Sequence, residues 1–141
     1  GGGKPVSRAC ANPHSLDEPA PLAPQPGDRV VVKPRFSAFF NTNLDNVLRR
    51  LDVGTVVLIG TTTPNCIRTT CYDALSLDYN VVLLEDCTSS RTPEVQAANI
   101  EDMAFIGAHI MTCDEFCERG LANVADVAGG VREACFEEAA R

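Results

Sequence analysis

Short apolar runs alternate with helical stretches along residues 28–120 of this 141-residue chain. The runs are continuously apolar and do not alternate with polar residues, as in Val56–Ile59 and Asn80–Leu84. Strands of this kind are buried on both faces, and helices between them are typical crossover connections of a parallel sheet. The pattern therefore predicts an α/β protein, a three-layer α/β/α sandwich with a mainly parallel sheet.

Four strands and four helices are predicted, with a weaker helical segment near the end of the chain. The predicted strands are Val30–Val32, Val56–Ile59, Asn80–Leu84 and Ala108–Met111. The predicted helices are Asn43–Leu51, Pro64–Leu77, Pro93–Ala104 and Cys113–Arg119, and the weaker segment is Val131–Ala140. Thr92 and Thr112 stand where N-caps are expected, and Gly120 can end the helix before it.

Three regions follow from this pattern. Residues 1–27 contain most of the nine prolines and form an extended lead-in loop in this interpretation. Residues 28–120 form the α/β domain. Residues 121–141 form a C-terminal tail that contains the weaker helical segment.

Composition excludes some partners and locations. Nineteen acidic residues against twelve basic ones give a net charge of −7, which disfavours nucleic acid as a partner. No apolar run approaches the ~20 residues of a membrane span, and no export signal is visible. The seven cysteines are odd in number, and their spacings match neither a zinc site nor a disulfide framework. We therefore expect free thiols, a cytoplasmic location and no membrane partner.

Cys66 is the strongest candidate for chemistry. The tight polar turn Gly60–Cys66 follows the predicted strand Val56–Ile59 and places the cysteine in the first turn of the next helix. Free N–H groups and the helix dipole stabilise a thiolate there, and they could also bind an oxyanion. The alternative is a small buried side chain at a strand-to-helix turn.

Lys33 directly follows the predicted strand Val30–Val32, and the only other lysine, Lys4, lies in the lead-in. A lysine at the end of a buried strand can take part in the chemistry of a functional site. A strand-end lysine whose side chain extends into solvent is the more common case. Asp86 is interpreted as a turn or cap carboxylate. The two histidines, His14 and His109, support neither a Cys–His pair nor a metal site.

Four segments together resemble the isochorismatase-like cysteine hydrolases. They are Lys33–Leu44, Gly60–Thr70, Asp73–Ala74 and Tyr79–Asp86. The resemblance runs from about Ala23 to Phe116, with both main motifs in the family's order and spacing.

The resemblance implies an α/β/α fold and a triad of aspartate, lysine and cysteine that acts on small amides or ureides. It assigns Cys66 as the nucleophile and Lys33 as the lysine. It places a cis peptide at Thr61–Thr62 and an oxyanion hole at the backbone N–H groups of Thr62 and Cys66. We expect Arg35, Phe36 and Phe39 to line the substrate pocket. No cofactor and no metal are expected in this chain.

The family's aspartate follows an apolar first strand, and no such segment occurs here, because Asp17 and Asp28 lie in or beside the lead-in. The chain is therefore expected to lack the N-terminal strand with the catalytic aspartate. The neighbouring strand would then expose an apolar edge. This expectation favours a homo-oligomer or a missing N-terminal segment that covers the edge.

Two functions remain open at this point. The first is a cysteine hydrolase that cleaves a C–N bond of a small amide or ureide through a thioester. The second is a truncated, non-catalytic member of the family that acts as an interaction or scaffold subunit.

Overall fold

The computed structural model of the chain describes residues 19–140, which fall into two units divided between Val30 and Val31. The described part of the first unit contains a 3-10 turn, Ala20–Leu22, and a turn in which the Asp28 N–H donates to the Gln25 carbonyl at 3.0 Å. Most of the predicted lead-in, with His14 and Asp17, lies outside the described residues.

The second unit has the predicted α/β architecture, with a three-stranded parallel sheet in the order β1-β2-β3 and flanking helices. The strands are β1 (Thr55–Thr61), β2 (Asn80–Ser89) and β3 (His109–Met111). The helices are α1 (Leu44–Arg50), α2 (Arg68–Ser76), α3 (Pro93–Phe105), α4 (Cys113–Arg119) and α5 (Val127–Ala139). A π-helical turn, Thr63–Ile67, joins β1 to α2.

The predicted helix starts are confirmed at α3 and α4. The Thr92 hydroxyl accepts from the Val95 N–H at 3.3 Å, which caps α3. At α4, the Thr112 hydroxyl accepts from the Glu115 N–H, and the Glu115 carboxylate accepts from the Thr112 N–H in return. This reciprocal pair is a capping box, which satisfies two of the backbone donors that a helix start leaves unpaired.

The predicted strand Val30–Val32 is wrong. None of these residues is in a strand, and Val32 is 88% exposed. A strand needs a neighbour to take its backbone hydrogen bonds, and none of the three strands within residues 19–140 pairs with this segment. The apolar run alone therefore does not make it a strand.

The core lies around β2, which has a strand on each side. Buried side chains from β2, α2 and α3 form one cluster, together with Tyr79 immediately before β2. Its fully buried members include Cys71, Ala74, Tyr79, Val81, Leu83 and Met103. The Tyr79 hydroxyl donates to the Asp45 carboxylate at 2.7 Å and so attaches α1 to this core.

β2 leaves the ladder with β1 for a short stretch before the two strands pair again. Leu58 pairs with Leu83, and the next pair along the ladder is Gly60 with Thr88, so β1 advances two residues while β2 advances five. Pairing with β3 ends at Leu84. Glu85, Asp86 and Cys87 consequently lie outside both ladders, beside the start of α4.

Within residues 19–140, no helix is long and apolar enough to cross a membrane.

Candidate active site

Cys66 lies in the π-helical turn between β1 and α2, at the carboxyl end of β1. Gly60 makes the approach to this turn possible because its φ of 116° is rarely adopted by residues with a side chain. The Thr62 carbonyl accepts from the Asn65 N–H at 3.1 Å, and the Thr63 hydroxyl donates to the Ser89 carbonyl at 3.0 Å. The first bond closes the turn, and the second attaches it to the end of β2.

The Lys33 ammonium donates to the Cys66 sulfur, with 3.3 Å between Nζ and Sγ. It also donates to the Arg35 carbonyl at 3.1 Å, which orients the side chain towards the cysteine. Thirty-three residues separate Lys33 from Cys66, so the contact is a product of the fold. Lys33 itself is exposed and follows irregular backbone, which corrects the prediction of a lysine at the end of a buried strand.

The peptide bond between Thr61 and Thr62 is cis, at the position where the resemblance places one. It directly precedes the turn with Cys66. The assignment of the Thr62 and Cys66 N–H groups as oxyanion donors stays a prediction.

The three residues expected to line a substrate pocket are in different environments. Arg35 is exposed, and its guanidinium donates to the Pro34 carbonyl at 2.9 Å. Phe36 is 58% exposed. Phe39 packs against the core, where its ring stacks on that of Tyr79 with 5.8 Å between centroids. Packing thus already engages Phe39, while Arg35 and Phe36 remain open to solvent.

No carboxylate accompanies the Lys33–Cys66 pair within the described residues. The ion pairs of residues 19–140 join Asp45 to Arg49 and Asp102 to Arg68, so none involves Lys33. The same part of the chain has no group of three or more His, Cys, Asp or Glu side chains arranged to hold a metal ion. Within residues 19–140, the pair therefore offers a thiol and a cation that forms no ion pair with a carboxylate.

A cavity of about 270 Å³ lies beside the turn, and the sequence does not single out three of its residues, Ser90, Arg91 and Val95. Its lining is Thr62, Pro64, Asn65, Ser90, Arg91 and Val95. Ser90 and Arg91 directly follow β2, where ligands of parallel sheets commonly bind. Polar residues after a strand end are the sequence signal for such a site. The sequence predicts that this strand ends at Leu84, so the signal points to Asp86 and not to Ser90 and Arg91.

Asp86 has the cap role predicted for it. Its carboxylate accepts from the Cys113 N–H at 2.9 Å, at the first residue of α4. An acidic acceptor at a helix start satisfies a free donor and interacts favourably with the helix dipole. Asp86 therefore stabilises α4.

Curated relatives match about two thirds of the chain. A probable inactive nicotinamidase of Arabidopsis thaliana is 49% identical over 92 residues, which cover 64% of this chain and 47% of that protein. A ureidoacrylate amidohydrolase of Agrobacterium fabrum is 39% identical over 97 residues, covering 68% of this chain and 42% of that protein. The chain thus spans about half the length of these relatives.

Solved structures have the same fold. An isochorismatase family protein from Desulfovibrio vulgaris matches with a TM-score of 0.68 and 45% identity, over 70% of this chain and 52% of that one. A cysteine hydrolase from Pseudomonas syringae matches with a TM-score of 0.68 and 32% identity, over 72% of this chain and 53% of that one.

The family model for the isochorismatase domain matches residues 3–115, which includes both main motifs and begins ahead of Ala23. The match covers most of the chain, and the relatives and the solved structures agree with it. On these grounds, the resemblance is confirmed, and this chain belongs to the isochorismatase family.

Proposed function

We propose that this chain carries the nucleophilic half of a cysteine hydrolase that cleaves a C–N bond of a small amide or ureide. The observation that carries the proposal is the 3.3 Å contact between Lys33 Nζ and Cys66 Sγ. An ammonium group at this distance places a positive charge beside the sulfur that acts as the nucleophile in this proposal. The family membership and the amidohydrolase relatives support the same chemistry.

In this mechanism, the Cys66 sulfur attacks the carbonyl carbon of the substrate, and the C–N bond breaks as the amine or ammonia leaves. The N–H groups of Thr62 and Cys66 stabilise the negative oxygen of the tetrahedral intermediate. Water then attacks the thioester, which releases the acid and restores the thiol. Lys33 balances the charge on sulfur throughout.

The proton lost by Cys66 must reach the departing nitrogen, which requires an acid–base group. The resemblance assigns this role to an aspartate. Within residues 19–140, no carboxylate forms an ion pair with Lys33. In our proposal another segment or a second copy supplies the aspartate.

The cavity beside the turn supports a substrate with a negatively charged end. Arg91 contributes a cation to its lining, and guanidinium groups pair well with carboxylates. A curated relative is named for its action on ureidoacrylate. We therefore favour small amides or ureides that bear a carboxylate over neutral amides as the substrate class.

A non-catalytic role is the alternative, and two observations favour it. Among the described residues, no carboxylate forms an ion pair with Lys33, and one curated relative is named as probably inactive. In that case the chain binds a ligand or a protein partner without turning it over.

Release of ammonia from a panel of small amides and ureides tests the proposal. The panel pairs each carboxylate-bearing compound with its neutral analogue, and it is run on the chain alone and with a peptide that ends an apolar strand in aspartate. We expect release in the presence of the peptide, abolished by Cys66→Ala and unchanged by Cys135→Ala, since Cys135 is an exposed thiol on α5. Arg91→Gln should weaken turnover of the charged substrates more than that of the neutral ones.

No ammonia release from any compound, with or without the peptide, would establish the non-catalytic alternative. Release that persists in Cys66→Ala would exclude Cys66 as the nucleophile. A Lys33→Met variant tests the effect of Lys33 on Cys66 separately from turnover. It should slow the alkylation of Cys66 by iodoacetamide, and this measurement needs no substrate.

A further inference from the structure

The segment of residues 33–42 is attached to α2 at a buried hydroxyl. Lys33 begins this segment, and Ala38 lies five residues later. The Ala38 N–H donates to the Thr70 hydroxyl of α2 at 3.0 Å. Thr70 is only 8% exposed, so water competes little for this hydroxyl.

This bond is close to the Lys33–Cys66 contact along both parts of the chain. Thr70 follows Cys66 by four residues, which is about one helical turn. Within residues 19–140, the Lys33–Cys66 and Ala38–Thr70 contacts are the two hydrogen bonds that join residues 33–42 to residues 60–76. The two parts of the chain are thus joined at two points, one exposed and one buried.

The exposed contact gives Lys33 little hold of its own. Lysine side chains lose much rotamer freedom when they are kept in one position, and Lys33 is exposed to solvent. Its other partner, the Arg35 carbonyl, belongs to the same segment and does not attach it to α2. The position of the Lys33 ammonium beside the Cys66 sulfur therefore depends on where the backbone of residues 33–38 is held.

The backbone of Ala38 is held through both of its polar groups. Its N–H donates to Thr70, and its carbonyl accepts from the Thr42 hydroxyl at 2.6 Å. The Thr42 hydroxyl in turn accepts from the N–H of Leu44, the first residue of α1, at 3.2 Å. Ala38 is thus fixed between α1 and α2, and only the short stretch before it is left to carry Lys33.

We propose that Thr70 is a positioning residue that holds Lys33 beside the Cys66 sulfur through its bond to the Ala38 N–H. This role rests on the proposed function of the Lys33–Cys66 pair. Thr70 takes no part in bond making or breaking and acts through Lys33. Without its hydroxyl, the Ala38 N–H loses its partner on α2, and the segment is free to carry the lysine away from the sulfur.

Alkylation of Cys66 by iodoacetamide in the full chain tests the proposal without a substrate. Samples are quenched at intervals and digested with trypsin, and Cys66 is followed in the peptide of residues 51–68, in which it is the single cysteine. We expect Thr70→Val to slow the alkylation by nearly the same factor as Lys33→Met. The double variant should be no slower than Lys33→Met alone, because Thr70 acts through Lys33.

Two further variants separate the effect of the hydroxyl from a general loss of stability. Thr70→Ser keeps a hydroxyl and should restore the wild-type alkylation rate. Thr88→Val is the matched control, since Thr88 is also 8% exposed but its hydroxyl bonds to Glu85 and Gln96 and not to residues 33–42. This control should lose stability and keep the wild-type alkylation rate.

Amide hydrogen exchange at Ala38, followed by NMR, reports on the bond itself. Exchange should be faster in Thr70→Val than in the wild-type protein, because the N–H has lost its acceptor. Thr70→Ser and Lys33→Met should exchange at the wild-type rate, because both keep a hydroxyl at position 70.

A wild-type alkylation rate in Thr70→Val, or slow alkylation in Thr70→Ser or in Thr88→Val, would each overturn the proposal. Unchanged alkylation in Lys33→Met would overturn the proposed function of the pair as well, whereas slow alkylation in Lys33→Met beside a wild-type rate in Thr70→Val would overturn the positioning role alone. If Thr70→Val does not fold, Thr70→Ala removes the same hydroxyl and is judged by the same two measurements.

Discussion

The two strands β1 and β2 contain nearly the same apolar run but are buried very differently. Val56-Val57-Leu58-Ile59 lies in β1, and Val81-Val82-Leu83-Leu84 lies in β2. The last residue of the β2 run, Leu84, is 5% exposed, whereas its counterpart Ile59 in β1 is 60% exposed. From the sequence alone, both runs would be predicted as strands with the same degree of burial.

The difference comes from the neighbours of each strand. β2 pairs with both β1 and β3 and packs against α2 and α4, while β1 pairs only with β2 among the described strands. Burial of an apolar run is thus decided by what packs around it. The Lys33–Cys66 pair lies on the less covered side, where a thiol is accessible to a ligand.

The largest expected effect compares the partners Leu83 and Leu58, which face each other across the ladder. Leu83→Ala should lower the free energy of unfolding by ~2–5 kcal/mol, because it removes a fully buried side chain and leaves a cavity. Leu58→Ala should cost clearly less, because Leu58 is only partly buried. Urea denaturation measures both, and equal losses would contradict the contrast between the strands.

The next effect depends on pH. Burial in the core raises the pKa of the Cys71 thiol from its ordinary value of 9.0 to about 12. Between these values the unfolded chain loses this proton and the folded chain keeps it, so stability present below pH 9 is lost as the pH rises. The contribution is up to ~1.4 kcal/mol per pH unit. Cys71→Ala should show a shallower decline from pH 9 to 11, and identical slopes in both proteins would refute the prediction.

A smaller effect separates the chain's two tyrosines, each of which donates to an aspartate. Tyr79 is fully buried and bonds to Asp45 at 2.7 Å, and Tyr72 is partly exposed and bonds to Asp102 at 2.6 Å. Tyr79→Phe should cost ~1–2 kcal/mol, and Tyr72→Phe should cost less because water can replace its bond. Thermal denaturation of both variants checks the order, and equal losses would show that exposure does not matter.

The smallest effect on stability is expected at Ile59. Ile59→Lys should change the free energy of unfolding by less than ~0.5 kcal/mol, since most of the side chain already contacts solvent. A charge on an open strand edge also opposes strand pairing between molecules. Light scattering at increasing protein concentration should therefore show less self-association than in wild type. A large loss of stability would mean that Ile59 is covered in solution.

Much of the fold was predictable because its signals are local. The runs at Val56 and Asn80, the caps at Thr92 and Thr112, and the helix over Cys113–Arg119 all correspond to observed elements. The failure at Val30–Val32 has the opposite cause, since no described strand pairs with this run. The early end assigned to β2 had a similar cause, because the polar residues Glu85–Cys87 lie in a bulge that only strand register reveals.

The site shows the same division. The sequence identified Cys66 and Lys33 one by one, and its resemblance to a family connected them. It did not indicate the cavity residues Ser90 and Arg91.

The sequence by itself located three of the four predicted strands and the helices between them, and it placed Cys66 in the turn after β1. These choices depend on interactions within a few residues, namely apolar periodicity, capping side chains and turn chemistry. Only the tertiary structure decided that β2 is buried and β1 open, and that Lys33 lies 3.3 Å from Cys66. Each of these depends on segments far apart in the chain, whose approach is set by packing and strand register.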